Sequence, residues 1–200
     1  MIALAFPWEG RDAHAALMER MRFIAPLIAI SRDGGTGRVR ARPDGRARID
    51  YRLDRVGVAT LRHGLRTMAR IARASGASEI VALGTPAAWH RPAGLEPAQE
   101  GVAFERYLDE LGRFDFGPNR GSVFSAHQMG TARAGADPRT HACDPGGRVR
   151  SASGSGGRDR VVAGLYVADT SLFPTGLGVN PMLTAMALAG RVSRTVLAES

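Results

Sequence analysis

The chain has 200 residues, of which 44% are hydrophobic and 23% are charged. These values are typical of a globular protein that buries a core, and they exclude a wholly disordered chain. The net charge of +8 would suit a polyanion-binding protein, but every basic residue is an arginine. The arginines are spread along the chain, without interleaved aromatic residues and without any known nucleic-acid-binding motif, so the sequence predicts no nucleic-acid partner.

The first ten residues are mostly apolar, but we expect no targeting segment there. They have no basic start and are interrupted by Pro7, which argues against both a signal peptide and a membrane span. Cys143 is the single cysteine, so an intramolecular disulfide is excluded. A lone thiol is compatible with a reducing compartment, and we expect a cytoplasmic location.

The first third of the chain contains a predicted helix, strand and hairpin. Residues 11–22 have a helical pattern, and the apolar run 23–30 predicts a buried strand. Two alternating segments, 38–42 and 47–51, flank a turn at Pro43-Asp44-Gly45 and predict a β-hairpin. Because polar and apolar residues alternate, one face of the hairpin should lie on a core.

The middle of the chain predicts alternating helices and short strands. Apolar residues recur at helical spacing over 55–74, and Gly76 follows as a typical helix terminator. The remaining predictions here are a strand over 79–83, a loop over 84–97, a helix over 100–112 and a strand over 122–126.

The last third contains a glycine- and serine-rich tract, a strand and a helix. The tract 146–160 predicts a flexible loop, and residues 164–169 predict a buried strand that ends in a carboxylate. Asn180 and Pro181 are residue types preferred at the N-cap and at the first helical position. The helix that follows is apolar over much of its circumference, which predicts that it is largely buried.

Four ordered segments of this region resemble the C-terminal signature of the glucose-methanol-choline (GMC) oxidoreductases. They read Ser-Ala-His-Gln-Met-Gly-Thr (125–131), Cys-Asp-Pro (143–145), Gly-Leu-Tyr-Val-Ala-Asp-Thr-Ser-Leu-Phe-Pro-Thr (164–175) and Gly-Val-Asn-Pro-Met-Leu-Thr-Ala-Met-Ala-Leu-Ala (178–189). Residues 32–54 and the following helix are similar to the substrate-domain sheet and helix of that family, especially its long-chain alcohol oxidase branch.

The resemblance implies an α+β fold. It consists of an antiparallel substrate-domain sheet with helices, plus the C-terminal strand and helix of an FAD-binding domain. The corresponding division is a partial substrate-binding domain over 1–124 and a flavin-facing catalytic segment over 125–200.

The resemblance also implies FAD-dependent oxidation of the CH–OH group of an alcohol by hydride transfer. The implied catalytic residues are His127, which accepts the hydroxyl proton, and Asn180, which hydrogen-bonds the same oxygen. The implied cofactor-binding residues are Asp169, Thr170, Asn180, Pro181 and Met182, with Thr170 standing where glycine is usual in the family.

The proposed roles agree with the chemistry of these side chains. A neutral imidazole takes up a proton near neutral pH, and an amide cannot ionise and so does not compete for it. The N–H groups at a helix start, such as that of Met182, favour a developing negative charge. For His127 taken alone, a buried structural histidine is the competing interpretation.

The chain contains no Gly-x-Gly-x-x-Gly turn to receive the FAD diphosphate, a feature that such flavoproteins need. We therefore expect an N-terminal FAD-binding segment or chain as partner; the alternative is a truncated, non-catalytic fragment. A basic nucleic-acid-binding module, testable by a salt-dependent shift with DNA, is a third interpretation. His141 and Cys143 have no second pair at zinc spacing, so we predict no metal site.

Overall fold

The computed structural model describes residues 6–151 and 160–200 of the chain. These residues form an α+β fold with four α-helices and six short strands. The helices are α1 (Arg11–Glu19), α2 (Arg55–Ala74), α3 (Pro97–Gly112) and α4 (Met182–Glu199). The strands are β1 (Gly37–Ala41), β2 (Ala47–Tyr51), β3 (Ile80–Ala82), β4 (Ala88–His90), β5 (Arg148–Arg150) and β6 (Val161–Tyr166).

The strands form three two-stranded antiparallel sheets, β1–β2, β3–β4 and β5–β6. The chain divides into two compact units, each made of two segments. The first unit comprises residues 1–31 and 55–124, and the second comprises 32–54 and 125–200. The division into a substrate-binding part over 1–124 and a flavin-facing part over 125–200 stays a prediction.

The first unit has a core formed by α2, α3 and the β3–β4 hairpin. Its most buried large side chains are Leu108 and Leu111 of α3. The start of α3 is fixed by a reciprocal capping box, in which Glu96 and Gln99 bond each other's backbone N–H, with Pro97 at the first turn. This arrangement satisfies two N–H groups that a helix start otherwise leaves free.

The helix predicted over 55–74 is confirmed with its bounds, and Gly76 follows it at a φ of 80°. The predicted hairpin, the strand at 79–83 and the helix at 100–112 are also confirmed, with α3 beginning earlier, at Pro97. The loop prediction for 84–97 missed β4, which pairs with β3 between Pro86 and Pro92. The prolines suggested a loop, but a three-residue strand fits between them because neither proline has to donate a backbone hydrogen bond to the neighbouring strand.

Two strand predictions are wrong. Residues 24–30 form no strand, and Ile28 is 72% exposed; Pro26 lacks the N–H that a ladder needs. Residues 122–126 also form no strand, because the pairing there is limited to a single bridge between Gly84 and Gly121. The first predicted helix ends at Glu19 and is followed by a 3₁₀ turn over Met21–Phe23.

Three elements whose apolar patterns predicted burial are exposed among the described residues. Every residue of β1 and β2 is exposed, so neither face of that hairpin lies on a core formed by the described residues. The strand predicted at 164–169 is β6, which begins earlier, at Val161, and is exposed over most of its length. All of α4 is described, and of its residues only Val192 is buried. Apart from Val192 and the residues that pack on the same core, such as Leu188 and Tyr166, the apolar residues of these elements are exposed within the described chain.

The tract 146–160 is only partly a loop, since Arg148–Arg150 form β5. Residues 152–159 lie outside the described residues. Among the helices that are described, none is both long enough and apolar enough to cross a bilayer.

Candidate active site

The second unit is organised around Cys143, whose side chain is fully buried with Leu172 and Val192. The backbone of Cys143 donates to Arg133 O at 3.1 Å and accepts from Gly135 N at 3.1 Å. Burial raises the pKa of the Cys143 thiol, which keeps it neutral. Cys143 is therefore a core residue that joins the segment after His127 to helix α4.

A tight turn over 144–148 continues this core. One carboxylate oxygen of Asp144 accepts from the backbone N of Gly146 and of Arg148, each at 2.9 Å, and the other accepts from Arg148 Nη1 at 2.9 Å. Arg148 also bonds Glu199 at 2.6 Å, and Glu199 accepts from the hydroxyl of Tyr166. These bonds fix the last turn of α4 to strand β6.

His127 precedes a short ladder of backbone hydrogen bonds. The ladder joins residues 130–134 to the 3₁₀ turn Thr170–Leu172, and its members are Gly130 N to Thr170 O (3.2 Å), Ala132 N to Ser171 O (3.0 Å) and Ala134 N to Leu172 O (2.9 Å). The hydroxyl of Thr170 donates to Gln128 O at 2.8 Å. The chain is therefore held immediately after His127, while the His127 side chain is exposed.

Gly130 shows why this segment needs a glycine. Its φ is 76°, and a methyl group placed on it would lie 3.1 Å from the carbonyl oxygen of Phe173. A side chain would be strained there both by the left-handed backbone and by the close approach. The glycine allows the chain after His127 to turn against the 170–173 segment.

Asp169 stabilises the 3₁₀ turn from its start. Its Oδ1 accepts from the backbone N of Ser171 at 2.8 Å and also from the hydroxyl of Ser171. These two bonds lower the pKa of the Asp169 carboxyl, so the group is ionised at neutral pH. Asp169, predicted from sequence to bind cofactor, thus also caps the turn that holds the His127 segment, and its cofactor role stays a prediction.

Asn180 lies at the end of a loop whose two ends are buried. Phe173 is 1% exposed and Pro181 is buried, whereas Asn180 and Met182 are exposed. Helix α4 begins at Met182 with Pro181 as its N-cap and no side-chain cap. The sequence-based N-cap at Asn180 is therefore wrong by one residue, and its amide is not used to cap the helix.

The start of α4 has free N–H groups. The first helical hydrogen bond runs from Ala185 N to Pro181 O at 2.8 Å. Within the described residues, the N–H groups of Met182, Leu183 and Thr184 have no acceptor. Unsatisfied N–H groups at the start of a helix favour an anion or a polar ligand.

The structure thus places the predicted site residues in the same unit. His127 precedes the segment that is hydrogen-bonded to the Thr170–Leu172 turn, Asp169 starts that turn, and Asn180, Pro181 and Met182 follow the loop that leaves it. Their catalytic and cofactor-binding roles stay predictions. Two surface grooves, one beside Trp89 and one beside Phe114, lie in the first unit and include none of these residues.

Sequence reasoning missed a polar group that contacts the 174–180 loop. Arg32 Nη2 donates to Thr175 Oγ1 at 3.4 Å, and Asp33 accepts from the hydroxyl of Tyr51. The sequence offered only a weak signal, because Arg32 and Asp33 precede a glycine-rich turn and Tyr51 ends a predicted strand.

His141 and Cys143 have separate surroundings. His141 Nδ1 lies 2.9 Å from Thr140 Oγ1 and 3.1 Å from Asp137 O, and Cys143 is in the core. Over residues 6–151 and 160–200, no three His, Cys, Asp or Glu side chains are grouped as metal ligands.

Comparison with known proteins defines the class. The family model described as GMC oxidoreductase matches residues 33–189, and the chain therefore belongs to the GMC oxidoreductase family. The match is to the C-terminal domain of that family.

Individual relatives are named for alcohol oxidation or for the family. The chain is 33% identical over 189 residues to the long-chain-alcohol oxidase FAO4A of Arabidopsis thaliana, an alignment that covers 94% of this chain and 24% of the relative. It is 32% identical over 197 residues to FAO3 of the same plant, covering 95% and 24%. An uncharacterized GMC-type oxidoreductase of Mycobacterium tuberculosis is 30% identical over 199 residues, covering 100% and 28%. The chain thus spans about a quarter of the length of these relatives.

Proposed function

We propose that this chain supplies the catalytic C-terminal part of an FAD-dependent oxidoreductase that oxidises the CH–OH group of an alcohol. His127 takes the hydroxyl proton and Asn180 hydrogen-bonds the same oxygen. The FAD-binding part is supplied by an N-terminal segment or by another chain. The names of the relatives make a long-chain alcohol the first substrate to test.

One observation carries the proposal. The two side chains implied as catalytic are exposed, yet each is attached to a firmly held piece of backbone in the second unit. His127 precedes the ladder onto Thr170–Leu172, and Asn180 stands beside buried Pro181. An exposed polar side chain on rigid backbone is suited to a pre-organised site, whereas a structural histidine would be buried and hydrogen-bonded.

The residues present have the chemistry to contact FAD. The free N–H groups of Met182 and Leu183, with the positive end of the α4 dipole, suit a ring edge on which negative charge develops. The Asn180 amide offers both a donor and an acceptor. The diphosphate would need a glycine-rich turn from the partner segment.

The proposed roles of the two side chains follow from the proton and the hydride that must leave the alcohol. Oxidation removes the O–H proton and the C–H hydride from the alcohol; FAD, when bound, supplies the acceptor for the hydride. The imidazole of His127 holds the proton, and the Asn180 amide fixes the oxygen without titrating. Hydrogen bonds that strengthen as the oxygen loses its proton lower the barrier.

The exposed apolar surface of the second unit supports the partner proposal. Leu183 is 72% exposed, Met182 66%, Met186 57% and Leu165 47%. Exposed apolar side chains of this size are typical of an interaction site. In our proposal, these side chains of β6 and of the start of α4 contact the FAD-binding part.

The proposal is tested by supplying the missing part. The 200-residue chain and an FAD-binding segment taken from a full-length relative are purified separately and then mixed with FAD. We expect the chain alone to be colourless, and the mixture to retain flavin and to be bleached by a long-chain alcohol under anaerobic conditions. Flavin retention without bleaching by any alcohol in a panel of chain lengths would favour the non-catalytic alternative.

A further inference from the structure

Arg32 and Asp33, which precede strand β1, pack against the loop that leads to Asn180. A methyl group placed on Gly178 would lie 2.9 Å from Cβ of Arg32, and one on Gly176 would lie 3.6 Å from Oδ1 of Asp33. Gly178 also has a φ of 72°. The backbone of this loop therefore lies directly against residues 32 and 33, and Arg32 adds its hydrogen bond to Thr175 at 3.4 Å.

Asp33 is in turn held by the hairpin. Its Oδ2 accepts from the hydroxyl of Tyr51, the last residue of β2, whose position is fixed by pairing with Gly37. Partial desolvation of the half-exposed Tyr51 side chain, together with its bond to Asp33, raises the pKa of Tyr51 to about 12, so the phenol stays protonated and remains a donor. A hydrogen bond from a neutral donor to a carboxylate is among the stronger kinds in proteins.

The loop needs such a support. Residues 174–180 run between buried Phe173 and buried Pro181, and two of them, Gly176 and Gly178, are glycines. Glycine has the greatest backbone freedom, so a glycine-containing loop is held only by its contacts. The contacts with residues 32 and 33 are made between its two anchored ends.

We infer that Arg32, Asp33 and Tyr51 form a brace that positions Asn180. The brace holds the 174–180 loop against residues 32 and 33, which Tyr51 joins to the hairpin, and so fixes where the Asn180 amide lies. This inference rests on the proposed function, because it assigns a purpose to the position of Asn180. The three side chains are positioning residues and do not themselves contact the alcohol.

The first test measures the loop directly in the 200-residue chain. Thermolysin cleaves before apolar residues, and Leu177 and Val179 lie inside the loop. We expect Tyr51→Phe and Asp33→Ala each to speed cleavage at these two bonds about tenfold, as loss of a charged hydrogen bond implies. Asp33→Asn keeps an acceptor oxygen and should largely restore resistance. Asp44→Ala, at the tip of the same hairpin, is the matched control and should leave cleavage unchanged.

The second test uses the chain with its FAD-binding part restored. Tyr51→Phe should lower the rate constant of flavin reduction about tenfold at saturating alcohol, with flavin content unchanged, because a misplaced group is costly to catalysis. Melting temperatures are measured beside both readouts, and Tyr51→Phe serves if Asp33→Ala does not fold.

Two results would overturn the inference. Unchanged cleavage in both Tyr51→Phe and Asp33→Ala would show that the brace does not hold the loop. Faster cleavage with an unchanged reduction rate would show that the loop does not position Asn180. Asn180→Ala, measured in parallel, separates this from failure of the proposed function: if it also leaves flavin reduction unchanged, the role of Asn180 itself is wrong.

Discussion

Replacing Gly147 with alanine tests whether the core around Cys143 holds both the segment after His127 and helix α4. Gly147 has a φ of 85° in the turn after Cys143, and a methyl group on it would lie 2.5 Å from Cγ2 of Val192 and 2.8 Å from the carbonyl oxygen of Val167. The Val192 side chain of α4 and the backbone of Val167 therefore leave no room for a side chain on Gly147. A methyl group at this position has to displace Val192 or Val167.

The expected loss of stability has two parts. A left-handed φ costs a non-glycine residue about 1–2 kcal/mol, and overpacking costs about 1–3 kcal/mol more, so Gly147→Ala should lower the free energy of unfolding by about 2–5 kcal/mol. Gly164 in β6 is the matched control. It has a similar φ of 72°, but nothing lies within 4 Å of a methyl group placed there. Gly164→Ala should therefore lower the free energy of unfolding only by the cost of the left-handed φ.

The assay follows each unit separately. Both tryptophans, Trp8 and Trp89, belong to the first unit, so their fluorescence reports the urea transition of that unit and serves as the reference. Far-ultraviolet circular dichroism also follows the second unit and should show the loss. If Gly147→Ala destabilises the second unit no more than Gly164→Ala does, the close packing of α4 on this turn is refuted.

Three further predictions concern the same unit. Thr170→Val should cost about 1 kcal/mol by removing the bond to Gln128 O, whereas Thr170→Ser should not; equal melting temperatures for the two variants would contradict this. The pKa of Asp169 is lower in the folded state, so its bonds stabilise the fold above the unfolded pKa of about 4 and are lost as the pH falls through the folded pKa. The urea midpoint of Asp169→Asn should therefore fall less between pH 6 and pH 3 than that of the parent. Equal pH dependence of the two midpoints would contradict this. Leu183→Glu should reduce dye binding and self-association of the isolated chain, as measured by fluorescence and by light scattering, and unchanged association would argue against α4 as the exposed interface.

The sequence predicted local elements well where periodicity and terminators agreed. The helix over 55–74 followed by Gly76, and the hairpin around Pro43-Asp44-Gly45, depend on side-chain spacing and turn chemistry within a short segment. Such signals do not require knowledge of the rest of the molecule. The family was likewise predicted from the ordered motifs around His127 and Asn180 and is shown by the family comparison.

Burial could not be predicted in the same way. The apolar residues of α4 and of β6 predicted buried elements, yet Leu183 is 72% exposed and Leu165 is 47% exposed. An apolar pattern shows that a surface is suited to be covered, but not which part of a chain covers it. The same limit applies to Ile28, which was predicted to lie in a buried strand.

Contacts between distant segments could also not be predicted from the sequence. The brace joins Arg32 to Thr175 across 143 residues of sequence and Asp33 to Tyr51 across 18, and no periodic pattern encodes such pairs. Asn180 as helix cap was a reasonable local prediction, but the buried Pro181 fixes the start of α4 one residue later. Long-range packing decided these positions over local preference.

The central claim is that His127 is the base that accepts the alcohol proton. With the FAD-binding part restored, anaerobic stopped-flow absorbance measures flavin reduction in the parent, in His127→Ala and in His141→Ala. His127→Ala should slow reduction by about two to four orders of magnitude, the usual range for a general base, with flavin content unchanged. His141→Ala, a histidine of the same unit that bonds its own loop, should match the parent. Reduction in His127→Ala as fast as in the parent with the same alcohol would contradict the claim.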